Sequence, residues 1–203
     1  MPFQTCYLLR HGQTEYNLIR RLQGRLDSPL TAQGEQQARA MGRQLATRID
    51  APEQWALLHS PLGRATASAR LVADELSIPH HALHADPRLV ELSIGAWDGL
   101  TYDEIAERYP TLYARGQRDD WHFLAPGVEP FADAMQRARS WLADPDLPER
   151  MIVLSHGLFG QMLRGAYAGL SDAEILKLDR PQDAFYCLEG GTVSRIECTL
   201  QPA

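Results

Sequence analysis

Residues 7–17 read YLLRHGQTEYN, an apolar run that stops on Arg10, His11 and Gly12. The run from Cys6 to Leu9 is short and continuous, as expected for a buried strand. Two similar runs follow, Trp55 to Leu58 and Met151 to Leu154. Helical patterns lie between them. Thr31 fits an N-cap, with Ala38, Met41, Leu45 and Ile49 at helical spacing behind it. Ser60 at N-cap and Pro61 at N1 predict a second helix start, and Leu62, Ala65, Ala69, Val72 and Leu76 form its apolar face. Strand, helix, strand, helix is the order of parallel pairing and an α/β fold.

From about Pro79 to Gly127 the pattern loosens into loops and short helices, with a strand-like Pro87 to Val90. Thr101 to Glu104 fits a capping box for a short helix that ends near Pro110. Phe131, Met135, Ala138 and Leu142 mark another helix, and a further helical stretch follows His156-Gly157. The runs Phe185 to Leu188 and Val193 to Leu200 meet at Gly190-Gly191, a good hairpin turn. That register sets Cys187 opposite Ser194, which argues against a hairpin disulfide to Cys198. The hairpin edge is a candidate surface for a homodimer.

The net charge of −6 over 203 residues gives no case for nucleic acid or an acidic membrane surface. Cys6, Cys187 and Cys198 have no metal-binding spacing and fit a reducing compartment. No signal-peptide pattern or membrane-length apolar run occurs, so a soluble cytoplasmic protein is expected. His80, His81 and His84 lack patterned partners and fit a polar strand or loop better than a metal site. Trp97, Trp121 and Trp141 fit packing, although Trp121 is also a candidate for a site entrance. Lys177 is the only lysine; every other basic residue is arginine, whose fork binds phosphate bidentately.

Each apolar strand is followed by cationic or hydroxyl side chains: Arg10 and His11, then Ser60 and Arg64, then Ser155 and His156. In parallel α/β sheets ligands sit beyond the carboxyl ends of strands. Two arginines, two imidazoles and the N-termini of the following helices would then converge on one anion, a phosphoryl group being the natural choice.

These residues carry a resemblance. LLRHGQTEYN, QGRLDSPLTAQGEQQA (23–38), SPLGRATASA (60–69), ELSIGAWDGLTYDEI (91–105) and LSHG (154–157) resemble, in order, the blocks of the histidine phosphatase superfamily, the phosphoglycerate mutase-like family. The resemblance implies a three-layer α/β sandwich with a mostly parallel central sheet, helices on both faces and a C-terminal antiparallel hairpin. It implies one domain over residues 1–203 with a substrate cap of loops and short helices around 91–130.

It also implies that His11 is a nucleophile forming a phosphohistidine, its tautomer fixed by the Gly12 carbonyl. A neutral imidazole can attack phosphorus, and its phosphorylated form passes the group to water. Arg10, Arg64 and a partly cationic His156 would clamp the equatorial oxygens, with Asn17 as a further donor. Gln13, Thr14, Gln23 and Gly24 would lie nearer the substrate, and Gly157 would join the phosphate site. Gly12 would also let backbone approach the phosphate. Glu91 would act as general acid and then general base, a task for a carboxyl protonated in one step and ionised in the next. No metal or other cofactor is expected, and the partner expected is a small phosphomonoester.

Leu92 to Gly99 resembles the phosphatase branch more than the mutase form, and the shortage of lysine agrees. Hydrolysis of a small phosphorylated metabolite by a metal-independent histidine acid-type phosphatase is therefore the favoured expectation. A cofactor-dependent phosphoglycerate mutase, a phosphohistidine-protein phosphatase and a phosphate- or phosphoprotein-binding module without turnover remain as alternatives. The family's Gly-Gly-Glu-Ser loop is Gly127-Val128-Glu129-Pro130 here, which loosens any substrate assignment through that loop.

Overall fold

The computed structural model describes residues 2–115 and 120–200. In chain order the elements are β1 (Thr5–Arg10), α1 (Glu15–Leu18), α2 (Ala32–Ala46), β2 (Ala56–His59), α3 (Gly63–Leu76), β3 (Leu83–Ala85), α4 (Tyr102–Arg108) and α5 (Pro110–Ala114). They continue with α6 (Phe131–Leu142), β4 (Arg150–Ser155), α7 (Gly157–Ala168), α8 (Asp172–Leu176), β5 (Ala184–Glu189) and β6 (Thr192–Glu197). The sheet order is β3-β2-β4-β1-β5-β6. The first four are mutually parallel; β5 and β6 form an antiparallel hairpin against β1.

Alternation along the central strands builds a core on each face. Cys6 and Leu8 of β1, with Met151 and Val153 of β4, face α6 and α7; Tyr7, Leu9, Ile152 and Leu154 face α2 and α3. The three-layer α/β architecture follows from that alternation, since both sheet faces carry apolar side chains that only helices cover. The register brings the carboxyl ends together: Arg10 lies opposite Ser155, and His59 opposite Leu154. Cys187 pairs with Ser194, and all three cysteines are free. Among the described residues no helix is long and apolar enough to cross a membrane.

Local expectations fail where a side chain from elsewhere intervenes. Thr31 caps α2 through the Gly34 N–H at 3.0 Å, but α2 ends at Ala46, leaving Ile49 buried in the turn beyond. Ser60 does not cap α3. That helix begins at Gly63, where Asp27 accepts from the Gly63 and Arg64 N–H groups, while the Ser60 hydroxyl accepts from the Leu62 N–H at 3.3 Å and bonds His156. Pro87 to Leu89 is a 3-10 turn capped by Asp86 rather than a strand. The actual strand, β3, precedes it and is only three residues long, with His84 exposed, so it carries almost no apolar signal. His80, before it, pairs at the surface with Asp74 at 2.8 Å. Trp121 is buried and stacked on Tyr102 with centroids 5.0 Å apart, a packing role. Of the segment read as a cap, residues 116–119 lie outside the described residues.

The loop after β1 sits directly on the start of α2. A methyl on Gly34 would fall 2.0 Å from the Gln13 carbonyl oxygen, and one on Gly12 would fall 2.0 Å from the Gly34 oxygen. Gly12 is thus demanded by the packing of α2. Alanine in a helix normally stabilises relative to glycine. Gly34→Ala should instead cost about 1–3 kcal/mol in urea unfolding, as overpacking does; a neutral or stabilising result would contradict this contact.

Candidate active site

Beyond the carboxyl ends of β1, β2 and β4 lies a cavity of about 460 Å³. His11, Arg10, Arg64, Glu91, Asn17, Gln23, Gly24 and Gly157 line it, so eight of the residues expected at the site converge. His156 sits just behind, its ring centroid 5.2 Å from that of His11. Gly12 and Thr14 are buried outside the lining. Thr14 instead caps α1 in a reciprocal capping box with Asn17, and its hydroxyl accepts from the Gln23 amide at 2.7 Å. Gln13 also stays outside, bonded to Thr31 and Gln37.

The His11 ring is fixed at both nitrogens. Nδ1 lies 2.8 Å from the Gly12 carbonyl, which can only accept, so Nδ1 carries the proton. Nε2 faces the Nε–H of Arg64 at 3.2 Å and is therefore the unprotonated acceptor. Burial pushes the imidazole well below the usual histidine range, and the Arg64 and Arg10 charges push further. A neutral ring with its Nε2 lone pair at the cavity can attack an electrophilic centre without first losing a proton.

Arg64 is held by the Gly24 carbonyl at 2.8 Å, the Leu26 carbonyl at 2.6 Å and Asp27 at 3.3 Å. Arg10 donates to the Arg180 carbonyl; burial and the nearby Arg180 charge bring it down to about 10, leaving it cationic at neutral pH. His156 bonds Ser60 at 2.7 Å through Nε2, while its buried Nδ1 has no partner among the described residues. The expectation of a partly cationic His156 does not hold in the free site. Burial, then Arg64, His11 and Arg10, hold its ring well below the histidine range. A bound dianion would oppose those terms and favour proton uptake.

Carboxylates already take several of the helix N-terminal amides, although Gly157, the first residue of α7, lines the cavity. The α7 amides of Leu158 and Phe159 donate to Glu91 at 3.1 and 2.9 Å, and Leu92 N–H adds a third bond at 3.0 Å. Asp27 occupies the start of α3 in the same way. Glu91 is aimed by a chain of contacts. Glu129 binds Arg137 at 2.9 Å, and Arg137 donates to the Val90 carbonyl at 2.9 Å while lying over the Phe159 ring. Pro130 begins α6 as its N-cap, so the departure from the family loop keeps this chain of contacts intact.

A model for the histidine phosphatase superfamily (branch 1) matches residues 6–192. This chain belongs to the histidine phosphatase superfamily. A protein of Enterobacter sp. (strain 638) named probable phosphoglycerate mutase GpmB is 38% identical over 160 residues, covering 75% of this chain and 69% of that protein. The solved Bacillus stearothermophilus YhfR is 30% identical with a TM-score of 0.75, covering 98% of both chains. Mycobacterial glucosyl-3-phosphoglycerate phosphatase Rv2419c, solved with VO3, is 26% identical with a TM-score of 0.72, covering 98% of this chain and 100% of that one.

Sequence patterns missed several residues of this superfamily member's cavity. Arg20, Arg21, Tyr102, His122 and Arg180 also line it. Gln182 braces its floor, donating to the His11 carbonyl at 3.2 Å and Asn17 Oδ1 at 3.1 Å. Arg20 and Arg21 carried a signal as a basic pair beside the quoted blocks, and Tyr102 lies within the 91–105 block; His122 and Arg180 come from segments without a pattern.

Two buried neutral imidazoles set a pH dependence. The unfolded chain protonates both below about pH 6.5, whereas the folded chain does not. The unfolded state then binds more protons, so stability falls with acidification, by roughly 1.4 kcal/mol per pH unit for each ring. Urea unfolding from pH 7.5 to 5.5 should show a shallower loss for His156→Asn than for wild type. Equal slopes would mean that His156 protonates in the folded state.

Proposed function

We propose that this chain hydrolyses phosphomonoesters of small metabolites through a phosphohistidine on His11. The observation that carries the reading is the fixed neutral tautomer of His11, with Nε2 presented to a cavity flanked by Arg10 and Arg64. Nε2 would bond to phosphorus as the ester oxygen leaves with a proton from Glu91. Water would then attack phosphorus, returning a proton to Glu91 as the Nε2–P bond breaks. Arg10, Arg64 and the unpartnered Nδ1 of His156 would meet the equatorial oxygens, whose added charge favours a protonated His156 ring. The VO3 complex of the mycobacterial relative supports a phosphoryl-shaped ligand at such a site.

The segment 91–130 supplies Glu91, Ile94, Tyr102 and His122 to the cavity and would act as the substrate cap. Lys177 ends α8 outside the cavity, in keeping with hydrolysis rather than the mutase pattern. A mutase is the second reading, favoured by the name of the Enterobacter relative. A mutase would return the phosphoryl group to a substrate hydroxyl instead of water.

Turnover in water enriched with oxygen-18 separates the two, since hydrolysis places the label in released phosphate. His11→Ala should lose at least about a thousandfold in kcat/KM, on the scale of other nucleophile deletions. Glu91→Gln should slow glycerol 3-phosphate far more than p-nitrophenyl phosphate, because nitrophenolate departs without a proton. Undiminished turnover by His11→Ala, or equal losses on the two esters in Glu91→Gln, would contradict the assigned roles.

A further inference from the structure

A phosphoryl group accounts for part of the cavity's charge and leaves two cations over. Arg64 stands beside Asp27 at 3.3 Å, and Arg21 is paired with Glu104 at 3.1 Å. Arg10 and Arg64 flank His11 and are assigned to the phosphoryl oxygens. Arg20 and Arg180 line the same cavity, yet among the described residues neither has a carboxylate within 4.0 Å. Glu91, the one carboxylate in the lining among the described residues, is occupied by three backbone amides.

Both arginine side chains are exposed along the cavity, on backbone that is held in place. Arg180 sits in a segment pinned on both sides. Before it, Asp179 accepts from Tyr186 at 2.5 Å and from the buried Arg164 at 3.1 Å, and Gln161 donates to the Leu178 carbonyl at 3.1 Å. After it, Gln182 is bonded to the His11 carbonyl. The Arg180 carbonyl receives Arg10, so two guanidinium-bearing residues are tied together at one wall. Their repulsion registers on the neighbours: Arg180 helps to lower Arg10, and it adds to burial in bringing His122 down to about 3. Arg20 has φ of +55°, a left-handed conformation that costs a non-glycine residue about 1–2 kcal/mol. Its guanidinium lies over the Tyr102 ring, 5.0 Å from the centroid. Strain and like-charge crowding at a cavity wall are the marks of a site kept ready for a ligand.

We propose that Arg180 and Arg20 form a second anion subsite, so that the preferred substrate is a small phosphomonoester bearing another anionic group, a carboxylate or a second phosphate. The inference rests on the phosphoryl group occupying the His11 end of the cavity. Neutral His122 and the Tyr102 hydroxyl line the same region and can hydrogen-bond the remainder of such a molecule.

Matched ligands test it. In the His11→Ala background, calorimetric affinities are compared for 3-phosphoglycerate against glycerol 3-phosphate, the carboxylate arm. Fructose 1,6-bisphosphate against fructose 6-phosphate is the phosphate arm. At least one dianionic partner should bind tenfold or more tighter than its match. Arg180→Gln and Arg20→Gln should each cut that gain to about threefold or less, and Arg180→Lys should retain most of it. Equal affinities within both pairs, or a gain that survives both glutamine substitutions, would overturn the subsite. Turnover of the same four esters by the otherwise wild-type protein reports separately on hydrolysis. An affinity gain without turnover would keep the subsite and sink the phosphatase.

Discussion

One hydrogen bond, from the His11 Nδ1–H to the Gly12 carbonyl at 2.8 Å, decides which ring nitrogen faces the cavity. That bond requires the chain to turn tightly just past β1, and the turn is held by contacts from three directions. The bare Gly34 of α2 presses on Gly12, the Ser68 hydroxyl of α3 accepts from the Gly12 N–H at 3.1 Å, and Gln182 braces the His11 carbonyl. The parallel pairing of β1 with β4 then sets His156 beside the ring so fixed. A backbone carbonyl is a suitable anchor here because, unlike a carboxylate, it does not raise the basicity of the ring enough to keep it charged.

The electrostatics divide into a settled part and an unsettled part. At the starts of α3 and α7 the helix amides already hold carboxylates, Asp27 and Glu91, so the positive ends of these helices are largely compensated. Positive potential in the cavity therefore comes from side chains. Burial pushes Arg10, Arg64, His11 and His156 toward their less charged forms, and repulsion from neighbouring cations adds to it for Arg10, His11 and His156. An arriving dianion relieves that repulsion, which is how a preorganised site favours an anion without reorganising at the moment of reaction.

Much of this was legible in the chain because the relevant signals are local. Short apolar runs ending in Arg10-His11, Ser60 and Ser155-His156 marked the strand ends, and the alternation along β1 and β4 built both cores. What stayed hidden depends on contacts between distant segments. Asp27 displaced Ser60 as the cap of α3, and no sequence neighbour announces that substitution. Thr14 looked like a ligand contact but is consumed by Asn17 and Gln23. β3 was too short and too polar to show. Arg180 and Gln182 lie in a stretch whose position is set by Arg164, Tyr186 and Gln161, all contributed by other elements. The charge state expected of His156 failed for a physical reason as well, since its neighbours are cations and its surroundings are dry.

The most direct test of the account is the protonation state of the His11 ring in the free protein, read from nitrogen-15 chemical shifts at pH 6. The account predicts a neutral ring with Nδ1 protonated and a pyridine-like Nε2, unchanged on acidification through the normal histidine range. An imidazolium at that pH, or a neutral ring carrying its proton on Nε2, would contradict it.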